Sequence, residues 1–314
     1  VKKKIIFAAL LLVILTSIFF PVSEQKTVSI NASYFNVYSL LLTPANWENW
    51  RPDLKKIADN DSTKITIHKG KGAFSMRHSD LELNVRSAGE IFYIDDDFGK
   101  NGSSYSYVVV PSKDPGKTSV TVYKETSALS YLVGKLGQPS FAETHIDDLK
   151  HFLETDSLHY GFSISKTKIS DDNLVEIKKE VLTKDKFEQA SRSFSALQQY
   201  VQANNAKQIQ PVIAQFLPKG KDSTQVNVGM YIDKVVKPGK DIIFVTMPKG
   251  GPLYSAKFRG RFNQRQKVYS GVQQYFNDHH YQTIILPFES YLDNKLPVSD
   301  TSVINIRVNF SAYF

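Results

Sequence analysis

The residues best suited to chemistry in this chain are the run Pro287, Phe288, Glu289, Ser290 and Tyr291, a carboxylate set among aromatic rings. If Phe288, Ser290 and Leu292 pack on a helix, alternation turns Glu289 and Tyr291 to the opposite face. There a carboxylate beside a ring can hold a cation by charge and cation–π attraction. Tyr231 and Tyr254 are weaker candidate contacts for the same cation, since tyrosines outside a core face are common. Two plainer readings compete: Glu289 is a solvated strand residue, or it is neutralised by Arg307, which alternation also turns away from the core. Other spacings fail on geometry. His145 and His151 are six apart on a helix and share no face, while the adjacent His279 and His280 diverge, so no zinc pattern and no metal is expected. Asp95, Asp96 and Asp97 with Asn101 and Gly102 begin like a calcium loop, but position twelve is Val108 where glutamate is needed, which leaves an acidic hairpin. Ser163 and Lys166 have a serine-lysine spacing in a strand-like stretch without companion motifs. No nucleophile elbow, phosphate loop or dinucleotide fingerprint occurs, so no cofactor is expected.

Composition narrows the class. The 314 residues carry 39 Lys and Arg against 31 Asp and Glu, a net charge of +8, with 41% hydrophobic residues. That excludes a disordered tail protein and a polytopic membrane protein. The absence of cysteine excludes a disulfide scaffold, a thiolate metal site and a cysteine nucleophile. Basic residues are scattered and no helix-turn-helix is present, so nucleic acid is not an expected partner; the charge suits an anionic membrane surface. The length suits two domains and a short extra segment. That segment starts with Lys2, Lys3 and Lys4, followed by residues 5–20, in which only Thr16 and Ser17 are not apolar. As a helix the run reaches about 24 Å, short enough for a signal peptide. Cleavage after Ser17 or Ser23 would place Leu15 or Pro21 where a small residue is needed, so residues 1–23 read as an uncleaved transmembrane anchor. With the lysines cytoplasmic, both domains lie on the outer side.

The elements after the anchor form an α+β pattern. A strand at Lys26 to Ala32 and a helix at Tyr34 to Leu42 are followed by six short alternating runs separated by Gly70, Gly72, Gly89, Gly99, Gly102 and Gly116, which predicts an antiparallel meander. Pro139 and Ser140 open a helix through Glu154, with Glu143 completing a capping box on Ser140. The residues 28–33, Val37 and Tyr38, the tryptophans Trp47 and Trp50 with Arg51 and Pro52, and the stretch 148–154 resemble the START-like (SRPBCC) superfamily over residues 26–155. The resemblance implies a helix-grip fold whose C-terminal helix lies across the sheet over a cavity for apolar ligands. Trp47 and Trp50 are expected to pack at the cavity end.

Residues 159–314 contain two copies of a strand-helix-strand-strand unit. The stretch 194–201 matches 269–276 at an offset of 75, whereas Pro211 and Pro287 differ by 76, and Val226 and Ile304 by 78. Tracking the prolines pairs Val212, Ala214 and Phe216 with Phe288, Ser290 and Leu292 as helix-facing positions, and gives Glu289 the counterpart Ile213. A duplicated βαββ unit of this kind, with Tyr160 and Gly161 at its start, the run from Gly251 to Gly260 and the motif around Glu289, resembles the GyrI-like family, also found as the effector-binding domain of AraC-type regulators. The resemblance implies that Glu289 lies in a groove on a pseudo-twofold axis, meeting cationic amphipathic ligands beside aromatic side chains; some family members are hydrolases that use such a glutamate. The expected function is that of a membrane-anchored binding protein for an apolar or amphipathic, including cationic, small molecule, with ligand contacts at Glu289, Tyr291, Tyr254 and Tyr231. The alternative is a hydrolase acting through Glu289.

Overall fold

Alternation builds the N-terminal unit. The computed structural model describes residues 21–60, 65–98, 102–128, 131, 141–170, 173–245 and 250–313. It divides into two units between His159 and Tyr160. The first unit runs β1 (Pro21–Ile30), α1 (Tyr34–Leu42), α2 (Pro44–Trp50), α3 (Pro52–Asn60), β2 (Thr66–Gly70), β3 (Ala73–His78), β4 (Leu81–Ala88), β5 (Ile91–Asp96), β6 (Ser103–Pro111), β7 (Thr118–Ser127), α4 (Ile146–Glu154) and the single turn α5 (Asp156–His159). Its seven strands form one antiparallel sheet in the order β1-β7-β6-β5-β4-β3-β2. Their inward positions, among them Phe74, Met76, Val85, Phe92, Ile94, Tyr107 and Val120, are buried with Trp47 and Trp50 and with Ile146, Leu149, Phe152 and Leu153 of α4. The tryptophan rings pack 4.9 Å apart, and the Trp47 indole donates to the Leu41 carbonyl at 2.9 Å, so they serve as packing residues.

Three sequence expectations for this unit are corrected. The anchor does not extend to residue 23: Pro21, Val22 and Ser23 are strand residues paired with Ser127, Thr126 and Glu125. The run 5–20 itself lies outside the described residues; among the described residues no helix is long and apolar enough to cross a membrane. The early helix is followed by two more, because Pro44 does not merely stop α1 but starts α2, where its fixed φ and missing N–H are tolerated. The expected start at Ser140 lies outside the described residues, and the helix does not run unbroken from there to Glu154. Ala142–Thr144 is a 3-10 turn, and α4 begins at Ile146 after a left-handed His145 with φ of 52°. The Tyr107 hydroxyl donates to the Thr144 carbonyl, the acceptor that a continuous α-helix would keep for Asp148. Glu143 pairs with Lys124.

The second unit runs β8 (Ile164–Lys168), β9 (Asn173–Leu182), α6 (Lys186–Ala203), β10 (Ile213–Pro218), β11 (Ser223–Ile232), β12 (Ile243–Val245), β13 (Pro252–Arg261), α7 (Gln266–Asp278), β14 (Gln282–Thr283), β15 (Phe288–Tyr291) and β16 (Val303–Tyr313). The strand order is β12-β9-β11-β10-β15-β16-β13-β8, with β14 beside β16. The two copies, β9-α6-β10-β11 and β13-α7-β15-β16, meet where β10 pairs with β15. Both helices end alike: left-handed Asn205 and His280, 75 residues apart, follow α6 and α7 with φ of 49° and 57°. The helix side of the sheet is one core containing Ala190, Leu197, Val212, Ala214, Phe216, Val272, Phe276, Tyr291, Ile306 and Val308. On the other side Ile169, Leu174, Ile213, Tyr231 and Phe288 make a smaller cluster.

That division overturns the facing expected for β15. Phe288 lies on the side away from the helices, and Glu289 and Tyr291 lie on the helix side. The cause is register: following the prolines shifts the strand by one residue relative to the helix offset, and one residue moves every side chain to the other face.

Candidate functional site

Glu289 sits in the middle of β15, its backbone paired with Ala214 on one side and Val308 on the other. Ala214 and Glu289 are themselves 75 apart, so this cross-strand pair is its own image under the repeat and lies on the pseudo-twofold axis. The carboxylate is 1% exposed. Its Oε1 accepts from Arg265 Nε at 2.7 Å and from the Tyr269 hydroxyl at 3.0 Å. Its Oε2 accepts from the Tyr291 hydroxyl.

Each partner is placed by the fold. Arg265 is the N-cap of α7. It is held by a hydrogen bond from Nη1 to the Phe262 carbonyl at 3.1 Å, and its guanidinium lies 3.5 Å from the Phe262 ring centroid. Tyr269, one turn into α7, points down to the sheet, and Tyr291 is the next helix-facing residue after Glu289. Burial, reinforced by the charge of Glu289, pushes both phenols up from their ordinary values. They therefore stay protonated and act as donors. The ion pair that neutralises Glu289 is made by Arg265, so the expected alternative with Arg307 is corrected: Arg307 pairs across the strands with Lys257 and Ser290 on the other face.

The first copy of the repeat shows what the fold itself requires here. The residues 75 before Arg265, Tyr269, Glu289 and Tyr291 are Ala190, Phe194, Ala214 and Phe216. That set is apolar, and Ala190, Ala214 and Phe216 are buried. One copy folds on alanine and phenylalanine where the other carries an ion pair and two hydroxyls.

Of the residues singled out from sequence, Glu289 and Tyr291 are brought together. Tyr254 shares the helix-side core and connects to Tyr269 through a chain of rings. Its ring is 5.4 Å from Phe276, which lies 5.3 Å from Phe310, which in turn lies 5.9 Å from Tyr269. Tyr231 is buried on the opposite side of the sheet. Neither Arg265 nor Tyr269 is marked by a motif in the sequence; carrying the helix offset of 75 through to the strand turns Glu289 toward the helix that holds both.

The N-terminal unit holds a second buried ionic group that sequence reasoning missed. Arg51, fully buried, donates to Asp96, which is 2% exposed, and through Nε to Asp53 Oδ1 at 3.0 Å. Asp96 also accepts from the Tyr105 hydroxyl at 3.4 Å. Asp53 lies 3.9 Å from His145 Nε2, and His145 Nδ1 is 2.8 Å from Asp148. Burial works to raise the Asp53 carboxyl, but the Arg51 hydrogen bond and charge outweigh it and hold the group below its ordinary value. Asp96 is thus no part of a solvated acidic hairpin. The network ties the junction of α2 and α3 to the sheet and to the start of α4.

No protein-family profile and no curated protein matches the chain. Among solved structures, the C-terminal domain of EcmrR is similar over 48% of this chain and 98% of its own, at 16% identity and a TM-score of 0.38. A hydrolase from Listeria innocua is similar over 48% of this chain and 92% of its own, at 8% identity and a TM-score of 0.36. The Aha1 dimer from Colwellia psychrerythraea is similar over 42% of this chain and 96% of its own, at 16% identity and a TM-score of 0.27.

Proposed function

We propose that the C-terminal unit binds an amphipathic organic cation, whose positive group takes the Glu289 carboxylate over from Arg265. The observation that carries this reading is the contrast between the two copies. The fold is satisfied by Ala190, Phe194, Ala214 and Phe216, so the equivalent Arg265, Tyr269, Glu289 and Tyr291 serve something other than folding. A buried carboxylate is costly unless paired, and Arg265 is the pairing group that can leave. Its side chain is 22% exposed, and it stands at a helix N-terminus, where the macrodipole disfavours a cation. A ligand ammonium would inherit the hydrogen bonds, with Tyr269 and Tyr291 still orienting the carboxylate and Phe262 left free to stack.

The hydrolase reading requires Glu289 to accept a proton from water. Both its oxygens already accept from three donors, which favours binding over catalysis. The test is titration of the full chain with aryl ammonium ions and their neutral isosteres. Glu289→Gln is expected to weaken the cations about tenfold or more and to leave the isosteres unchanged. Unchanged affinity for the cations, or substrate turnover lost with binding retained, would refute it.

A further inference from the structure

The face of the C-terminal sheet turned away from α6 and α7 carries a pocket of about 310 Å³, at the lower end of the range for small-molecule sites. Leu174, Ile213, Val245, Ile285 and Phe288 supply apolar walls. Gly229 lies between Leu174 and Ile213, and a side chain there would run into both of them, at 3.0 Å and 2.9 Å, so its absence lets the two close over the sheet. Leu286, 62% exposed, stands at the rim.

The polar groups of the pocket fall into two sets. Gln225, Asn227 and Gln215 are spent on one another and on the backbone: Gln225 Nε2 donates to Asn227 Oδ1 at 2.9 Å, Asn227 Nδ2 to Gln215 Oε1 at 2.8 Å, and Gln215 Nε2 to the Leu286 and Pro287 carbonyls. Glu176 and Lys178 are different. Glu176 is 7% exposed, and its carboxylate is met by Lys178 Nζ at 3.2 Å from a side chain that is itself 47% exposed. A carboxylate buried this deeply against a half-solvated cation is poorly compensated, and burial pushes its carboxyl up from the ordinary value despite Lys178.

Among the described residues the pocket therefore offers a ligand one buried acceptor and one donor side by side, of opposite charge, next to an apolar cavity. A simple organic cation would be attracted by Glu176 and repelled by Lys178. A molecule carrying an ammonium and a carboxylate on neighbouring atoms satisfies both, with its remaining body on the apolar walls. Among the described residues Phe288 is the one aromatic ring lining the pocket, which offers no cage for a quaternary ammonium, so N–H donors to Glu176 are favoured.

We propose that this pocket is a second binding site, for a free α-amino acid with a branched or aromatic side chain, its ammonium on Glu176 and its carboxylate on Lys178. The site lies on the opposite face of the sheet from Glu289 and does not rest on the function proposed for that residue.

Calorimetric or ligand-observed NMR titration of the full chain tests it with L-phenylalanine, L-leucine, glycine, L-phenylalaninamide and 3-phenylpropionate. Phenylalanine and leucine are expected to bind saturably, and glycine and the two singly charged analogues at least about tenfold more weakly, glycine for want of contact with the apolar walls and the analogues for want of one charge-assisted hydrogen bond. Glu176→Gln should weaken phenylalanine and the amide alike. Lys178→Gln should weaken phenylalanine and tighten the amide, which has no carboxylate to lose and is freed of the repulsion by the lysine. Glu180→Gln, exposed on the same strand, should change nothing. Absence of phenylalanine and leucine binding at millimolar concentration overturns the proposal. So does an amide that binds as tightly as the amino acid, or phenylalanine binding that is indifferent to both Glu176→Gln and Lys178→Gln.

Discussion

At the scale of single residues, a buried charge depends on its counter-ion, and that makes the consequences of substitution unequal. Removing Arg265 alone leaves the 1% exposed Glu289 carboxylate on two neutral hydroxyls. Arg265→Ala is expected to cost about 3 kcal/mol, measured by urea denaturation, because a buried charge loses its counter-ion. Replacing all four groups by their first-copy counterparts, Arg265→Ala, Tyr269→Phe, Glu289→Ala and Tyr291→Phe, removes charge and partner together. That variant should fold with stability equal to the parent or up to about 4 kcal/mol above it, while losing ligand binding. A collapse in stability would show that the polar set is structural. In the N-terminal unit the same logic gives a pH dependence. Arg51 holds the Asp53 carboxyl below its ordinary value, so the pair contributes stability above the unfolded-state pKa of that carboxyl and loses it as pH falls through the lowered folded-state value. Asp53→Asn should flatten the acid limb of a stability-versus-pH profile, and an unaltered limb would remove Asp53 from the account.

At the scale of elements, neighbours decide where a helix starts and how closely it packs. His145 takes a left-handed conformation and α4 begins late because Tyr107 engages the Thr144 carbonyl. Gly271 shows the packing side. Its first-copy counterpart, Ala196, is exposed on α6, yet a Cβ at Gly271 would stand 2.4 Å from the Tyr160 carbonyl and 3.0 Å from the Phe162 ring. The incoming chain of the second unit crosses α7 at that point. Helix propensity favours Gly271→Ala by about 1 kcal/mol, while overpacking against a rigid backbone costs about 1 to 3 kcal/mol. The expected outcome is a net loss of up to about 2 kcal/mol in thermal or urea unfolding; a gain would mean that residues 160–162 yield easily.

At the scale of the whole molecule, two hydrophobic cores on two sheets imply two folding units. Fragments 21–159 and 160–314 should each unfold cooperatively in calorimetry, because each closes its own core. Aggregation of either under mild conditions would locate shared packing across His159 and Tyr160. The order of elements was legible because period-two and period-3.6 patterns are local: the meander of β2 to β7 and the duplicated strand-helix-strand-strand units both follow from where apolar residues recur. The start of α4 was not legible, because the group that ends the preceding turn, Tyr107, is 37 residues away in sequence.

The sequence alone determined that the chain is α+β, that its C-terminal half is a repeat, and that Glu289 and Tyr291 belong together, since these follow from composition, periodicity and a separation of two residues on a strand. Tertiary structure alone decided which face they occupy and what they touch. The helix offset of 75 and the proline offset of 76 point to opposite faces, and side chains alternate with a period of two, so only the cross-strand pairing of Ala214 with Glu289 chooses between them. The pairing of Arg51 with Asp96, 45 residues apart, was hidden for the same reason: no local pattern marks a contact that exists only once a helix junction has been laid against a sheet.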